Sequence, residues 1–574
     1  MSKRGPGMAS ANAFKSGDTD REKVGRFVAG SSLLFVVSAA SGVMQFAWSA
    51  TMQRLLGPEG FSLTGPFLNL FWLLSLATSF GVPQAMMTFI SDRRHRDPEG
   101  AALIMSEGTR LLVAMGALFC GAAAAALVAI YGASPAANVY SGLAWLMIVS
   151  VAGKQMYMSF FATAGGIQRM DLLAACNIVF PIAMLGSSVG MVYAAKTYWP
   201  GSQAAGILAG AGGVAFASVA QCIVSLAMFR RAELSLKRIF TWRAGWGESK
   251  RLLSFGWVAA LAVIAASGVQ FLPPAVVSFA AHSSALGGAA PEKIINAGRF
   301  CAAFTYAMAP MLLIGMVMAI VPAISEAESK KNPELMQRYF DLAVKYALSI
   351  IMLMMAIYAV SAGTIVELFS GKEFPRGSMG PLTLTLFAGM SAGMLGMLTV
   401  NVLVGIKKPA APAAVSLAMT ASVVAALAAA EVYSDSVLTA AGAFSATVFM
   451  GLAALLYCLK RLGGIIWPWK TVARPTAAAI AAAAALRALP FDSVSVAAVA
   501  AACVCGSVFY LVALGLAGGI DSDDFDMARD TFRSSGAGIV VPAIDAMEKF
   551  FRLSPLFAKP RAGSAVSQES GDGG

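Results

Sequence analysis

The chain has 574 residues, 58% apolar and only 13% charged, with a mean hydropathy of +0.72 and a formal net charge of +12. Soluble domains carry about 25% charged residues, so a soluble enzyme would lack polar surface here; disorder, a collagen-like fibre and a disulfide scaffold are excluded as well. Near-continuous apolar runs of about 20 residues, rather than ten-residue alternations, exclude an outer-membrane barrel and leave an all-α polytopic membrane protein.

The first 26 residues are polar and end in Asp20-Arg21-Glu22-Lys23-Val24-Gly25-Arg26. The apolar run that follows is long enough to span and has no good cleavage site, which predicts a retained first span. Apolar runs predict spans 1 to 6 over 27–52, 62–90, 102–131, 141–163, 172–195 and 204–229. Spans 7 to 12 are predicted over 252–281, 296–323, 339–369, 380–406, 411–432 and 438–459. Two more, 473–490 and 495–519, bring the count to 14.

Basic residues give the orientation. With the N-terminus cytoplasmic, 32 Lys and Arg fall inside and 7 outside, leaving Arg110, Lys154 and Lys345 within helices. The positive-inside rule therefore predicts both termini cytoplasmic, in a cell membrane. The same rule accounts for the net charge without nucleic acid, through orientation and contact with anionic membrane lipids. The domain reading is a tail over 1–26, an N-lobe over 27–229, a basic linker over 230–251 and a C-lobe over 252–459. Spans 13 and 14 follow over 460–519, then a cytoplasmic tail over 520–574, amphipathic first and then disordered.

Charge inside a bilayer costs at least a few kcal/mol and normally faces a cavity or a partner. Lys154, near the middle of span 4, is the outstanding case. The choice there lies between a carboxylate from a neighbouring helix and a polar cavity. Glu107 and Arg110 share a face of span 3, which predicts a self-neutralising pair. Asp341 and Lys345, four apart, are expected to pair at the inner surface. Arg299 opens span 8 on the outer side, where snorkelling competes with a cavity role. Gln155, Asn177, Gln221 and Gln270 add uncharged polar groups within spans. Lys154, Arg110, Arg299 and these four are the candidate substrate-binding residues. Helix-break candidates are Pro83, Pro181, Pro273, Pro274 and Pro322, because unwound backbone in a membrane lines cavities.

Catalytic and metal constellations are poor. The seven cysteines are scattered through apolar runs and read as small buried hydrophobes, and His95 and His282 are placed in loops. Asp521-Ser-Asp-Asp-Phe-Asp526 has a metal-chelating spacing but no room for a nucleotide-binding domain, so it reads as an acid-rich helix start. No P-loop, H-E-x-x-H or usable G-x-S-x-G occurs. No enzyme activity, metal or cofactor is expected.

Six ordered motifs carry a family resemblance. Arg54-Leu-Leu-Gly-Pro-Glu-Gly-Phe61 is followed by Phe80-Gly-Val-Pro-Gln-Ala85 with Phe89-Ile-Ser-Asp92, and by Leu252-Leu-Ser-Phe-Gly256. Val321-Pro-Ala-Ile-Ser-Glu-Ala327, Leu368-Phe-Ser-Gly-Lys-Glu-Phe374 and Asn401-Val-Leu-Val-Gly405 complete the series. Together they resemble the polysaccharide transport family, the O-antigen and capsule flippases of the multidrug/oligosaccharidyl-lipid/polysaccharide (MOP) exporter superfamily. The segment Gln270-Phe-Leu-Pro-Pro274 departs from the pattern, which often places a charged or smaller polar group there.

The resemblance implies two six-helix lobes related by a pseudo-twofold axis around a central cavity, plus two C-terminal helices. It implies alternating access coupled to an ion gradient or the membrane potential. The substrate expected is a polyprenyl-pyrophosphate-linked oligosaccharide, with H+ or Na+ as coupling ion and polysaccharide assembly proteins as partners. A peptidoglycan lipid-precursor flippase and a cation-coupled drug antiporter are the nearest alternatives. A membrane-embedded glycosyltransferase or polymerase and a non-transporting scaffold stand further off.

Overall fold

The computed structural model describes residues 20–93, 97–131, 138–167, 169–231, 247–286, 291–314, 320–321, 324–325, 327–328, 331–406, 408–434, 436–489, 493–520, 525, 529 and 541–552. Among them every regular element is helical. The helices are α1 Asp20–Ser79, α2 Val82–Arg93, α3 Pro98–Tyr131, α4 Val139–Gly166, α5 Met170–Tyr198 and α6 Gln203–Arg231. Then come α7 Gly247–Leu286, α8 Glu292–Ala307 with a 3-10 turn at Ala309–Leu313, α9 Pro333–Ser370, α10 Arg376–Gly405 and α11 Ala410–Tyr433. The last are α12 Val437–Gly463, α13 Trp469–Arg487, α14 Val496–Leu516 and α15 Val541–Phe551.

Ten described helical stretches are long and apolar enough to cross a membrane. One of them, Ala40–Ser79, carries parts of both the first and the second expected span. The expected turn between those spans is a kink: two helical segments of α1 meet at Gly57, whose φ of 66° suits only a residue without Cβ. The expected eighth span runs from α8 through the 3-10 turn into residues outside the described set. Local chemistry fixes several ends. The side chains of Asn138, Asn332 and Ser495 accept from Ser141, Leu335 and Ala498 N–H to start α4, α9 and α14. Gly464, at φ 67°, ends α12 after Lys460 and Arg461.

The chain divides into two compact units: Met1–Leu56 with Leu63–Ile264, and Gly57–Ser62 with Ala265–Gly574. In the first, α5 and α6 approach so closely that a Cβ on Gly213 would overlap the Ser188 backbone. Hydroxyls reinforce the contact, Ser187 donating to Gly213 O and Ser188 to Gly210 O, both at 3.0 Å. The second expected span is broken at Phe80 and Gly81, which have φ of 45° and 68°. Beyond the break, Val82, Ala85, Met86 and Ile90 of α2 form one apolar core with Ile104, Leu112, Ala162 and Leu252. Pro83 is the second residue of α2, where its missing N–H has no intrahelical partner to lose. The helices run on through Pro181, Pro273 and Pro274, and Pro322 lies outside the described residues.

Two expected ion pairs are replaced by other contacts. Glu107 accepts from the Ser249 N–H at 2.9 Å and its hydroxyl at 3.2 Å, so it caps α7 instead of neutralising Arg110. Asp341 accepts from Gln337 at 2.7 Å rather than from Lys345.

In the second unit the Gly57–Ser62 segment lies on α7 and α8. The Pro58 carbonyl abuts Gly298, leaving no room for a Cβ, and Ser278 donates to Ser62 O at 2.5 Å. His282 belongs to α7 rather than to a loop, with Nδ1 2.8 Å from Ser278 O. Helices α13 and α14 pack on α9 through Ala356, Ala478, Ala482, Tyr510 and Leu514. The tail helix α15 docks Phe551 onto Gly515 at the end of α14, and Arg529 ties it down through Asp545 at 2.7 Å. His95 and the Asp521–Asp526 acidic run fall largely outside the described residues.

Candidate functional site

Lys154 is 3% exposed in α4. A close helix contact sets its place: Gly153 lies against the Ser218 backbone, with space for a Cβ only 2.9 Å from Ser218 C. One turn further along α6, Gln221 then reaches Lys154, whose Nζ donates to Oε1 at 3.1 Å. The amide is oriented from behind, because its Nε2 donates to Cys176 O of α5 at 3.1 Å. Three rings complete the enclosure. Nζ lies 4.4 Å from the Tyr157 ring centroid, 4.6 Å from that of Trp72 and 5.2 Å from that of Phe180. Tyr157 is in turn held by its hydroxyl on Asn177 Oδ1. Helices α1, α4, α5 and α6 therefore all contribute.

Among the described residues no carboxylate pairs with Lys154. Its charge is met by one amide oxygen and the negative faces of three rings. A cation–π contact is worth about 0.5–2 kcal/mol, whereas breaking a buried ion pair costs about 3–5 kcal/mol. The ammonium is held, but not neutralised. Such a group can transfer to an incoming anion far more readily than one locked on a carboxylate.

The structure brings together three of the sequence candidates, Lys154, Asn177 and Gln221. Trp72, Tyr157 and Phe180 join them although the sequence reading passed them over, since aromatics at helical spacing are usually core. Gln155 makes other contacts: its Nε2 donates to Ser75 O at 2.8 Å and to the Thr78 hydroxyl, in the last turn before the Phe80-Gly81 break. Arg110 lies half-buried on α3. Gln270 and Arg299 belong to the second unit. Gln270 is buried with its amide 3.3 Å from Met397 Sδ, and Arg299 contacts Asn296 at 3.4 Å with its Nε buried and unsatisfied. No carboxylate among the described residues pairs with Arg299 either. No group of three metal-ligating side chains occurs among the described residues.

Residues 27–328, more than half of the chain, match the model of a family described as polysaccharide biosynthesis protein. No curated protein matches the sequence. Among solved structures, the chain resembles an inward-facing multidrug-resistance transporter of the MATE family in the MOP superfamily, at TM-score 0.57 and 18% identity over 75% of this chain and 98% of that one. It resembles the lipid II flippase MurJ in an inward closed conformation at TM-score 0.58 and 12% identity, over 84% of this chain and 97% of that one. A MOP-superfamily transporter from Pyrococcus furiosus is similar at TM-score 0.52 and 19% identity, over 75% of this chain and 95% of that one. At these identities the likeness is one of fold.

Proposed function

The chain belongs to the polysaccharide biosynthesis protein family and has the fold of the MOP-superfamily membrane transporters, and from that premise we propose that it flips a polyprenyl-pyrophosphate-linked oligosaccharide from the inner to the outer leaflet of the cell membrane. A sugar headgroup cannot cross hydrocarbon unaided, because each unpaired hydroxyl loses hydrogen bonds to water at about 2–7 kcal/mol. A helix bundle that offers replacement partners lowers that barrier, while alternating access coupled to an ion gradient or the membrane potential gives direction. The observation that carries the reading is Lys154, a cation kept inside the bundle with no carboxylate partner among the described residues. An anionic pyrophosphate supplies the missing counter-charge, and Arg299, partly buried in the second unit, is another cation with no carboxylate partner among the described residues.

The test is transport by purified protein in vesicles loaded with lipid-linked oligosaccharide, under an imposed ion gradient or potential. The expected result is headgroup translocation that falls at least tenfold in Lys154→Ala. In the host, deletion should trap lipid-linked glycan on the cytoplasmic face. Vesicles that translocate no lipid-linked sugar under any gradient, with every surface glycan intact in the deletion strain, overturn the proposal.

A further inference from the structure

We infer that Gln221 is a positioning residue whose neutrality keeps the Lys154 ammonium available to an anion; this rests on the reading of Lys154 given above. A glutamate has nearly the shape of a glutamine, and at this position it would place a full counter-charge on a buried lysine. The chain instead uses an amide with two unlike ends. Nε2 donates to Cys176 O at 3.1 Å, which turns Oε1 toward Lys154 Nζ at 3.1 Å. Oε1 therefore aims and holds the ammonium without cancelling its charge. The rings of Trp72, Tyr157 and Phe180 act in the same sense, since a π face attracts a cation but carries no net charge. Gln221 itself is 1% exposed, and each end of its amide is engaged within the protein, one on Lys154 and one on Cys176. Its role is to set the state of Lys154.

Two substitutions separate charge from the loss of the Cys176 hydrogen bond. Gln221→Met and Gln221→Glu both lose that donor, and only the glutamate adds a counter-charge. The measurement is binding of farnesyl pyrophosphate to the purified full chain in detergent, beside inorganic pyrophosphate and uncharged farnesol. Gln221→Met is expected to weaken farnesyl pyrophosphate binding about threefold, and Gln221→Glu at least tenfold further, with farnesol binding moved equally by the two. Inorganic pyrophosphate following the same order places the recognition on the anionic group itself, while its failure to bind assigns the anion to a lipid-borne source; both fit the proposal. Equal weakening by Gln221→Met and Gln221→Glu overturns it, as does a loss in Gln221→Glu that farnesol binding shares. If the glutamate variant does not accumulate, Gln221→Met decides: a loss as large as that of Lys154→Met overturns the inference. Lys154→Met also distinguishes the two levels. If it binds farnesyl pyrophosphate like the wild type, the Lys154 reading falls. If it loses at least tenfold while the two Gln221 variants are equal, only the role of Gln221 falls.

Discussion

Glu107 is 1% exposed, and its carboxylate accepts twice from Ser249 in the first turn of α7. The first N–H groups of a helix have no intrahelical acceptor and carry a partial positive charge, so a carboxylate there both satisfies a donor and meets the dipole. The nearby Arg93–Glu248 pair is shorter, at 2.8 Å, but its side chains are 27% and 17% exposed. Burial decides between them. Glu107→Ala is expected to cost about 2 kcal/mol, and Arg93→Ala less than about 1 kcal/mol. Thermal melting in detergent checks this; equal melting shifts in the two variants would show that Glu107 is not the stronger tie. The sequence showed Glu107 beside Arg110 on one helix face and could not show Ser249, which comes 142 residues later. Lys154 was legible for the opposite reason, since a charge in an apolar run is conspicuous wherever it folds. Its enclosure was not, because Trp72, Tyr157 and Phe180 read individually as ordinary core.

Helix breaks show the same division at the scale of elements. Proline marked five candidate positions, yet α5 and α7 run through Pro181, Pro273 and Pro274. The break in the second expected span falls at Phe80 and Gly81, both with positive φ. Proline signals only the loss of a donor and a clash one turn back, and a membrane helix can absorb both when its neighbours compensate. At the Phe80-Gly81 break itself a neighbouring helix supplies a bond, since Gln155 donates to Ser75 O just before it. Gly81 is doubly constrained, by φ 68° and by a Gly256 carbonyl 2.6 Å from where its Cβ would sit. Gly81→Ala is therefore expected to destabilise by about 1–3 kcal/mol from backbone strain alone. Pro83→Ala, in the first turn of α2, is expected to cost about 1 kcal/mol or less, mainly through the unfolded chain. Melting midpoints of the two variants test the assignment, and a proline variant that loses more than the glycine variant would move the break point to Pro83.

Across the whole molecule, the predicted spans and the helices of the structure follow one another in order because bilayer thickness fixes the length of an apolar run. What composition could not supply was the join between the first two spans, where α1 turns at Gly57 without leaving helical hydrogen bonding on either side. The tail was legible only as amphipathic, since its docking through Phe551 depends on Gly515 of α14. Topology rests on a different physical term. The split of the basic residues, 32 on one expected side and 7 on the other, is read from the full sequence. Each elementary charge moved against the membrane potential costs about 2.3 kcal/mol per 100 mV, so inverting such a chain would carry many unfavourable charges across. The positive-inside rule therefore predicts cytoplasmic termini, an outer position for Ser434 and an inner one for Ser235. A variant stripped of its seven cysteines, then given one thiol at Ser434, should react in intact cells with a membrane-impermeant maleimide. A thiol placed at Ser235 should react only after the cells are opened. Labelling of Ser235 from outside would invert the map or remove a span before it. Either change would also place the basic linker on the outer surface, against the field that orients the rest of the chain.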